Sequence, residues 1–280
     1  MSPVNCTVSS MNDSANTPIT GTTAEGVPYL VVPASRPQAP VVVAWHLLDA
    51  PRSEIAFHAA LPLNGLDAWK LYLGLPLSGS RLPSGGVDEV MRLGMEDAVL
   101  NLHWPIHDRA VAEFPAAFSE LRERFGIADE APLGLLGGSA GSSIAARVLA
   151  DGDSGATAAV FVSPMLRLRS MVDVLSERFG VVYHWGPESE RASEVMDFVA
   201  RAPEIVATGA AVRVIAGTED SPGAIEPARE FAAATDADLQ MVDGLAHPLA
   251  EEPGLEAAPQ TDGAKRVDAL ATEWFRAKLA

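Results

Sequence analysis

"GLLGGSAGSS" occupies residues 134–143. An apolar run stops at two glycines, and a single serine follows between residues with almost no side chain. The preceding "APLGLLGG" (131–138) reads as a short buried strand, and "AGSSIAARVLAD" (140–151) reads as a helix of small residues. Gly137-Gly138-Ser139-Ala140-Gly141 is therefore a G-x-S-x-G motif set between a strand and a helix, the context a nucleophile elbow requires. A sharp strand-to-helix turn puts its serine in a strained backbone conformation. Bulky side chains two positions before or after it would collide, which calls for glycine at both places. The helix that follows aims its N-terminus at the serine, where free N–H groups and the positive dipole end can hold an oxyanion. The plainer alternative is a glycine-rich turn with an incidental serine.

A serine nucleophile needs a base, and the base needs an acid to orient it. In an elbow of this kind the chain order is Ser, then Asp or Glu, then His. Of six histidines only His184 and His247 follow Ser139. His247 lies in "DGLAHPLAEEPG" (243–254), a loop just past an apolar strand, and is the expected base. His184 lies in "VVYHWGPE" (181–188) and reads as a pocket residue instead. The acid should stand just beyond an intervening strand. "VRVIAGTEDSPG" (212–223) offers Glu219 and Asp220 there. Asp220 is preferred and Glu219 is the alternative, since alternation at a strand end turns only one of the two inward. "ATAAVFVSP" (156–164) ends without a carboxylate.

The rest of the chain alternates strands with helices, which predicts a mainly parallel sheet covered on both faces. Strands are expected at 27–34, 39–48, 68–76, 210–217 and 237–244, and helices at 53–61, 108–126, 223–234 and 262–280. Residues 77–86 read as a Gly, Ser and Pro loop, and Pro115 should kink the helix at 108–126 or mark its true start. The segment from about 165 to 208 breaks the rhythm and reads as a helical cap inserted in one domain spanning 21–280; residues 1–20 read as a flexible tail or a poorly fixed edge strand.

Composition narrows the function classes. The chain has 280 residues and a formal net charge of −17, with no basic cluster, so neither nucleic acid nor an anionic membrane is an expected partner. One cysteine, Cys6, excludes an intrachain disulfide and a cysteine-rich metal site. No basic and apolar leader opens the sequence, and no run reaches about 18 apolar residues. A soluble, cytoplasmic protein is expected. "HWPIH" (103–107) spaces two histidines by four but lacks the glutamate of HExxH, so no metal is expected. Trp45, His46, Trp104, Tyr183, His184 and Trp185 are candidates for lining an apolar substrate pocket; the plainer reading is that they pack the cap on the core.

At "GGSAG" (137–141), "AGTED" (216–220) and "GLAHPLAEEPG" (244–254) the chain resembles the α/β-hydrolase superfamily, over most of residues 27–280. "VVVAWHLL" (41–48) resembles that family's oxyanion strand, except that Leu47 stands where glycine usually follows the histidine. The resemblance implies an α/β-hydrolase fold, with a Ser139–His247–Asp220 triad on loops at the strand ends. It also implies an oxyanion hole from the Ala140 N–H and that of Leu48 or Leu47, Leu48 being preferred. Serine at the nucleophile position argues against the Asp-dependent dehalogenase and epoxide-hydrolase branches and against Cys-dependent dienelactone hydrolases. The implied activity is hydrolysis of a small to medium, largely apolar carboxylic ester, without cofactor. A thioesterase, peptidase or acyltransferase on the same triad is the alternative, as is a non-catalytic ligand-binding member. A thioesterase for coenzyme A esters would want a basic rim, for which Arg167, Arg169 and Arg178 are available.

Overall fold

A computed structural model describes residues 17–280; the first sixteen residues, including Cys6 and most of the expected tail, lie outside it. Eight strands make one sheet: β1 (Ile19–Thr22), β2 (Pro28–Val32), β3 (Val41–Trp45), β4 (Trp69–Leu73), β5 (Leu133–Gly138), β6 (Ala156–Val162), β7 (Ala211–Gly217) and β8 (Asp238–Val242). Their order is β1-β2-β4-β3-β5-β6-β7-β8. β1 and β2 run antiparallel to their neighbours, and every pairing from β4 through β8 is parallel. The edge strand β1 therefore begins with Ile19 and Thr20, the last two residues of the segment expected as a tail or an edge strand.

The central strands are continuous apolar runs because both of their faces are covered. In β3, Val41, Val43 and Trp45 face one layer, while Val42 and Ala44 face the other. The first layer holds α3 (Trp104–Phe125), α4 (Ala140–Ala150), α5 (Leu168–Phe179), α7 (Ala202–Ala207) and α8 (Pro222–Thr235). The second holds α1 (Glu54–Ala60) and α9 (Asp262–Lys278). Ser53 caps α1 by accepting from the Ala56 N–H, and Thr261 caps α9 through Ala264.

Two sequence expectations need correction. The loop expected at 77–86 contains a single 3₁₀ turn (Gly79–Arg81), and it is followed by a helix that the sequence reading passed over, α2 (Gly86–Glu96). A π-helical turn (Ala98–His103) then runs straight into α3. Pro115 does not mark the start of that helix, which spans 22 residues with the proline in its interior. Pro115 is exposed, so the Val111 carbonyl that loses its N–H partner lies toward water. Between β6 and β7 the expected break holds three helices: α5, α6 (Pro187–Val195) and α7. Among the described residues no helix is long and apolar enough to cross a membrane.

Candidate active site

β5 ends at Gly138, α4 begins at Ala140, and Ser139 forms the turn between them with φ 46° and ψ −114°. A positive φ on a non-glycine residue costs on the order of 1–3 kcal/mol and persists only where the surroundings enforce it. Here they do. A Cβ on Gly137 would lie 2.3 Å from the Gly141 carbonyl oxygen, and one on Gly141 would lie 2.1 Å from that of Trp45. The elbow is clamped between the end of β3 and the first turn of α4. Ser142 Oγ donates to the Ser139 carbonyl and accepts from the Met165 N–H at 2.9 Å, tying the elbow to the chain beyond β6. Gly141→Ala must therefore move backbone. It is expected to cost about 1–3 kcal/mol, read as a lower thermal midpoint; an unchanged midpoint would refute the clamp.

The other two members arrive from β7 and β8. A Cβ on Gly217 would lie 1.9 Å from the Leu245 carbonyl oxygen, and the Glu219 N–H donates to that oxygen at 3.0 Å. The loops after β7 and β8 are zipped together by their backbones, which sets Asp220 against His247. His247 Nδ1 lies 2.9 and 3.0 Å from the two carboxylate oxygens of Asp220, and its Nε2 lies 2.8 Å from Ser139 Oγ. The Asp220 carboxylate is fully buried and also accepts from the Ser221 N–H at 2.6 Å. Glu219 is exposed beside it. Burial alone would lower the His247 pKa, but the hydrogen bond and charge of Asp220, with the charge of Asp49 added, raise it above its ordinary value.

The backbone of Leu47 and Leu48 follows β3 directly, over the first turn of α4. A Cβ on Gly141 would also come within 2.7 Å of the His46 carbonyl oxygen, so this loop and Ala140 are close neighbours. The Leu47 side chain is fully buried on Gly138; Leu48 is half-buried.

Two pocket expectations are corrected. Trp45 is 1% exposed and packs edge-on to Phe114 at 5.3 Å, because strand alternation turns it into the α3–α4 layer. His46 is fully buried: its Nε2 accepts the Leu75 N–H at 3.1 Å, which leaves the Nδ1 proton to donate to the Leu47 carbonyl at 2.6 Å. Burial lowers its pKa to about 4, so it is a neutral structural bracket. Trp104 is half-buried and stacks with His107. Tyr183 donates to Asp97 at 2.7 Å and meets Trp185 edge-on at 4.8 Å, which fastens the loop before α6 to the end of α2. His184 is exposed. None of these four is hydrogen-bonded to Ser139 or His247.

Arg167 is paired with Asp197 and Glu230, while Arg169 is paired with Glu190 and lies over Trp185. Two of the three arginines considered for a basic rim are thus already neutralised. Among the described residues no three His, Cys, Asp or Glu side chains converge as a metal site. The sequence reading missed Asp49, whose carboxylate lies 3.7 Å from His247 Nε2. Its one signal was its place directly after Leu47-Leu48. His103, weighed in the sequence only with His107 as a metal pair and within the candidate pocket stretch 101–107, is buried at the head of α3.

Neither a protein-family model nor a curated protein matches the sequence. Solved structures do. Dienelactone hydrolase from Anabaena variabilis is 15% identical with a TM-score of 0.58, over 95% of this chain and 98% of that one. An esterase of Pyrococcus furiosus is 14% identical with a TM-score of 0.55, over 95% and 93%. A puromycin-hydrolysing peptidase of Mycobacterium tuberculosis is 17% identical with a TM-score of 0.62, over 98% of this chain but 41% of that one. The chain has the α/β-hydrolase fold. Identities this low carry the fold and not the activity.

Proposed function

We propose that the protein is a serine hydrolase that cleaves a carboxylic ester through an acyl-enzyme. One observation carries the reading: an unbroken hydrogen-bond chain from Ser139 Oγ through both nitrogens of His247 to a buried Asp220. Esterases and peptidases among the proteins of similar fold are consistent with it. Ser139 Oγ attacks the carbonyl carbon while its proton passes to His247 Nε2. Asp220 holds the Nδ1 proton and stabilises the imidazolium. The backbone N–H groups of Ala140 and Leu48, with Leu47 as the alternative second donor, receive the oxyanion. As the carbonyl–oxygen bond breaks, Nε2 returns the proton to the leaving alcohol. Water then repeats the cycle, releasing the acid and freeing Ser139. Every proton in this scheme is handled by His247, and no cofactor is needed. The helices between β6 and β7 are read as the cap over this site.

Intact mass after treatment with a fluorophosphonate tests the proposal. One adduct on the wild type supports it, and none refutes it. The pH dependence gives a second check. Nε2 accepts a proton only when neutral, so kcat/KM should rise with pH through the raised His247 pKa and then level off. The midpoint is expected above the ordinary imidazole value of about 6.5; a midpoint below it would contradict the electrostatics of the site.

A further inference from the structure

Asp49 stands at the mouth of the site with its side chain 56% exposed, 3.7 Å from Nε2 of His247. Among the described residues no lysine or arginine comes within ion-pair distance of it. It is an unbalanced negative charge beside the one nitrogen that exchanges protons with the substrate. In the mechanism proposed above, Nε2 hands its proton to the leaving group, so the leaving atom must come within about 3 Å of that nitrogen. That fixes the side of the substrate Asp49 meets. Its carboxylate falls no more than about 7 Å from the leaving atom.

A second polar group is buried near Asp49. α3 and α4 both start at the C-terminal edge of the sheet, and His107 Nδ1 meets Ser143 Oγ at 3.1 Å, one turn into α4. His103 precedes His107 by four residues on the same helical face, which raises it one turn, to the level of Ser139. It is 8% exposed, and neither ring nitrogen has a protein partner. Burial lowers its pKa to about 4, partly offset by the charge of Asp49, so the ring is neutral and within electrostatic reach of that carboxylate. A buried imidazole with a free donor and a free acceptor suits a polar neighbour and carries no charge to repel a cation.

Taking the serine-hydrolase reading as given, we infer that Asp49 determines specificity on the leaving-group side, favouring substrates whose leaving group carries an ammonium and rejecting those with an anionic one. An ammonium two carbons beyond the ester oxygen falls within the reach of its carboxylate. The overall charge of −17 acts in the same direction at longer range. This narrows the expectation of a largely apolar substrate: the leaving group is expected to carry a positive charge.

The test uses three acetate esters of matched size: of choline, of its uncharged isostere 3,3-dimethylbutanol, and of 3-hydroxypropanesulfonate. The full-length enzyme should show kcat/KM for the cationic ester about five- to tenfold above the neutral one at low salt, with the anionic ester lowest. Asp49→Asn should bring the cationic-to-neutral ratio near one. A change in His247 basicity cancels in that ratio, so a merely structural effect would not move it. In the wild type, raising the ionic strength toward about 1 M should collapse the same preference without any substitution. Where no ester turns over, protection of Ser139 from the fluorophosphonate by each ester reads the same preference. A labelled enzyme without charge preference, or with one that survives both Asp49→Asn and salt, overturns this inference alone. An unlabelled enzyme overturns the hydrolase reading and this inference with it.

Discussion

Ser139→Ala is expected to lose the fluorophosphonate adduct completely and to lower kcat on any ester substrate by about 10⁴-fold or more. That corresponds to about 5.5 kcal/mol of lost transition-state stabilisation. The size of the effect follows from the absence of a substitute. Ser142 and Ser143 are the nearest hydroxyls in sequence, but Ser142 donates to the Ser139 carbonyl and Ser143 donates to that of Ala140. Both point along α4, and neither is hydrogen-bonded to His247. Alanine keeps the Cβ that the strained turn already tolerates, so the variant should fold with a thermal midpoint close to that of the wild type. Loss of turnover in a folded protein then reads as lost chemistry. The residual rate should still exceed that in water, since the oxyanion donors and the binding surface remain. Turnover near the wild-type level would remove Ser139 from the mechanism and leave the elbow as a packing device.

The fold was legible because its core strands are apolar runs of the right length, and because Gly137, Ser139 and Gly141 mark one turn unambiguously. The choice of Asp220 over Glu219 was also local: one residue at a strand end turns in, the next turns out. What stayed hidden was long-range. Trp45 looked like a pocket residue because it adjoins the oxyanion loop, but its side of the strand is set by the parity of β3 against α3. His46 is held by the Leu75 N–H, 29 residues away, and no local pattern announces that. The helix over 86–96 was masked by Gly85-Gly86 at its start and Gly94 near its end, and by apolar residues Val87, Met91 and Met95 that face water rather than core. Asp49 gave no signal beyond its address. Its closeness to His247 depends on how two loops, almost 200 residues apart, meet above the sheet.

Asp220→Asn should lower kcat by about 10⁴-fold while leaving the fold intact, and the reason lies in one backbone contact. Asp220 Oδ1 accepts from the Ser221 N–H at 2.6 Å as well as from His247. In the asparagine variant the oxygen must stay on that N–H, because an amide nitrogen there would face a second donor. The NH₂ group is then fixed at the Oδ2 position, 3.0 Å from Nδ1 in the native site. A donor at that position competes for Nδ1 with the retained oxygen, 2.9 Å away, and it favours the other tautomer, with Nδ1 accepting and the proton on Nε2. Nε2 then points a hydrogen at Ser139 Oγ and cannot take one from it. The substitution also removes the charge that raises the His247 pKa, so the midpoint of whatever activity survives should shift to lower pH. That shift separates a lost orienting charge from simple misfolding, which would leave the midpoint in place. Asp49 cannot inherit the role: it faces Nε2, the nitrogen that must be free for Ser139, rather than the Nδ1 that must be held. Retention of most activity in Asp220→Asn would therefore leave His247 without an orienting acid, and the proposed proton path would fall with it.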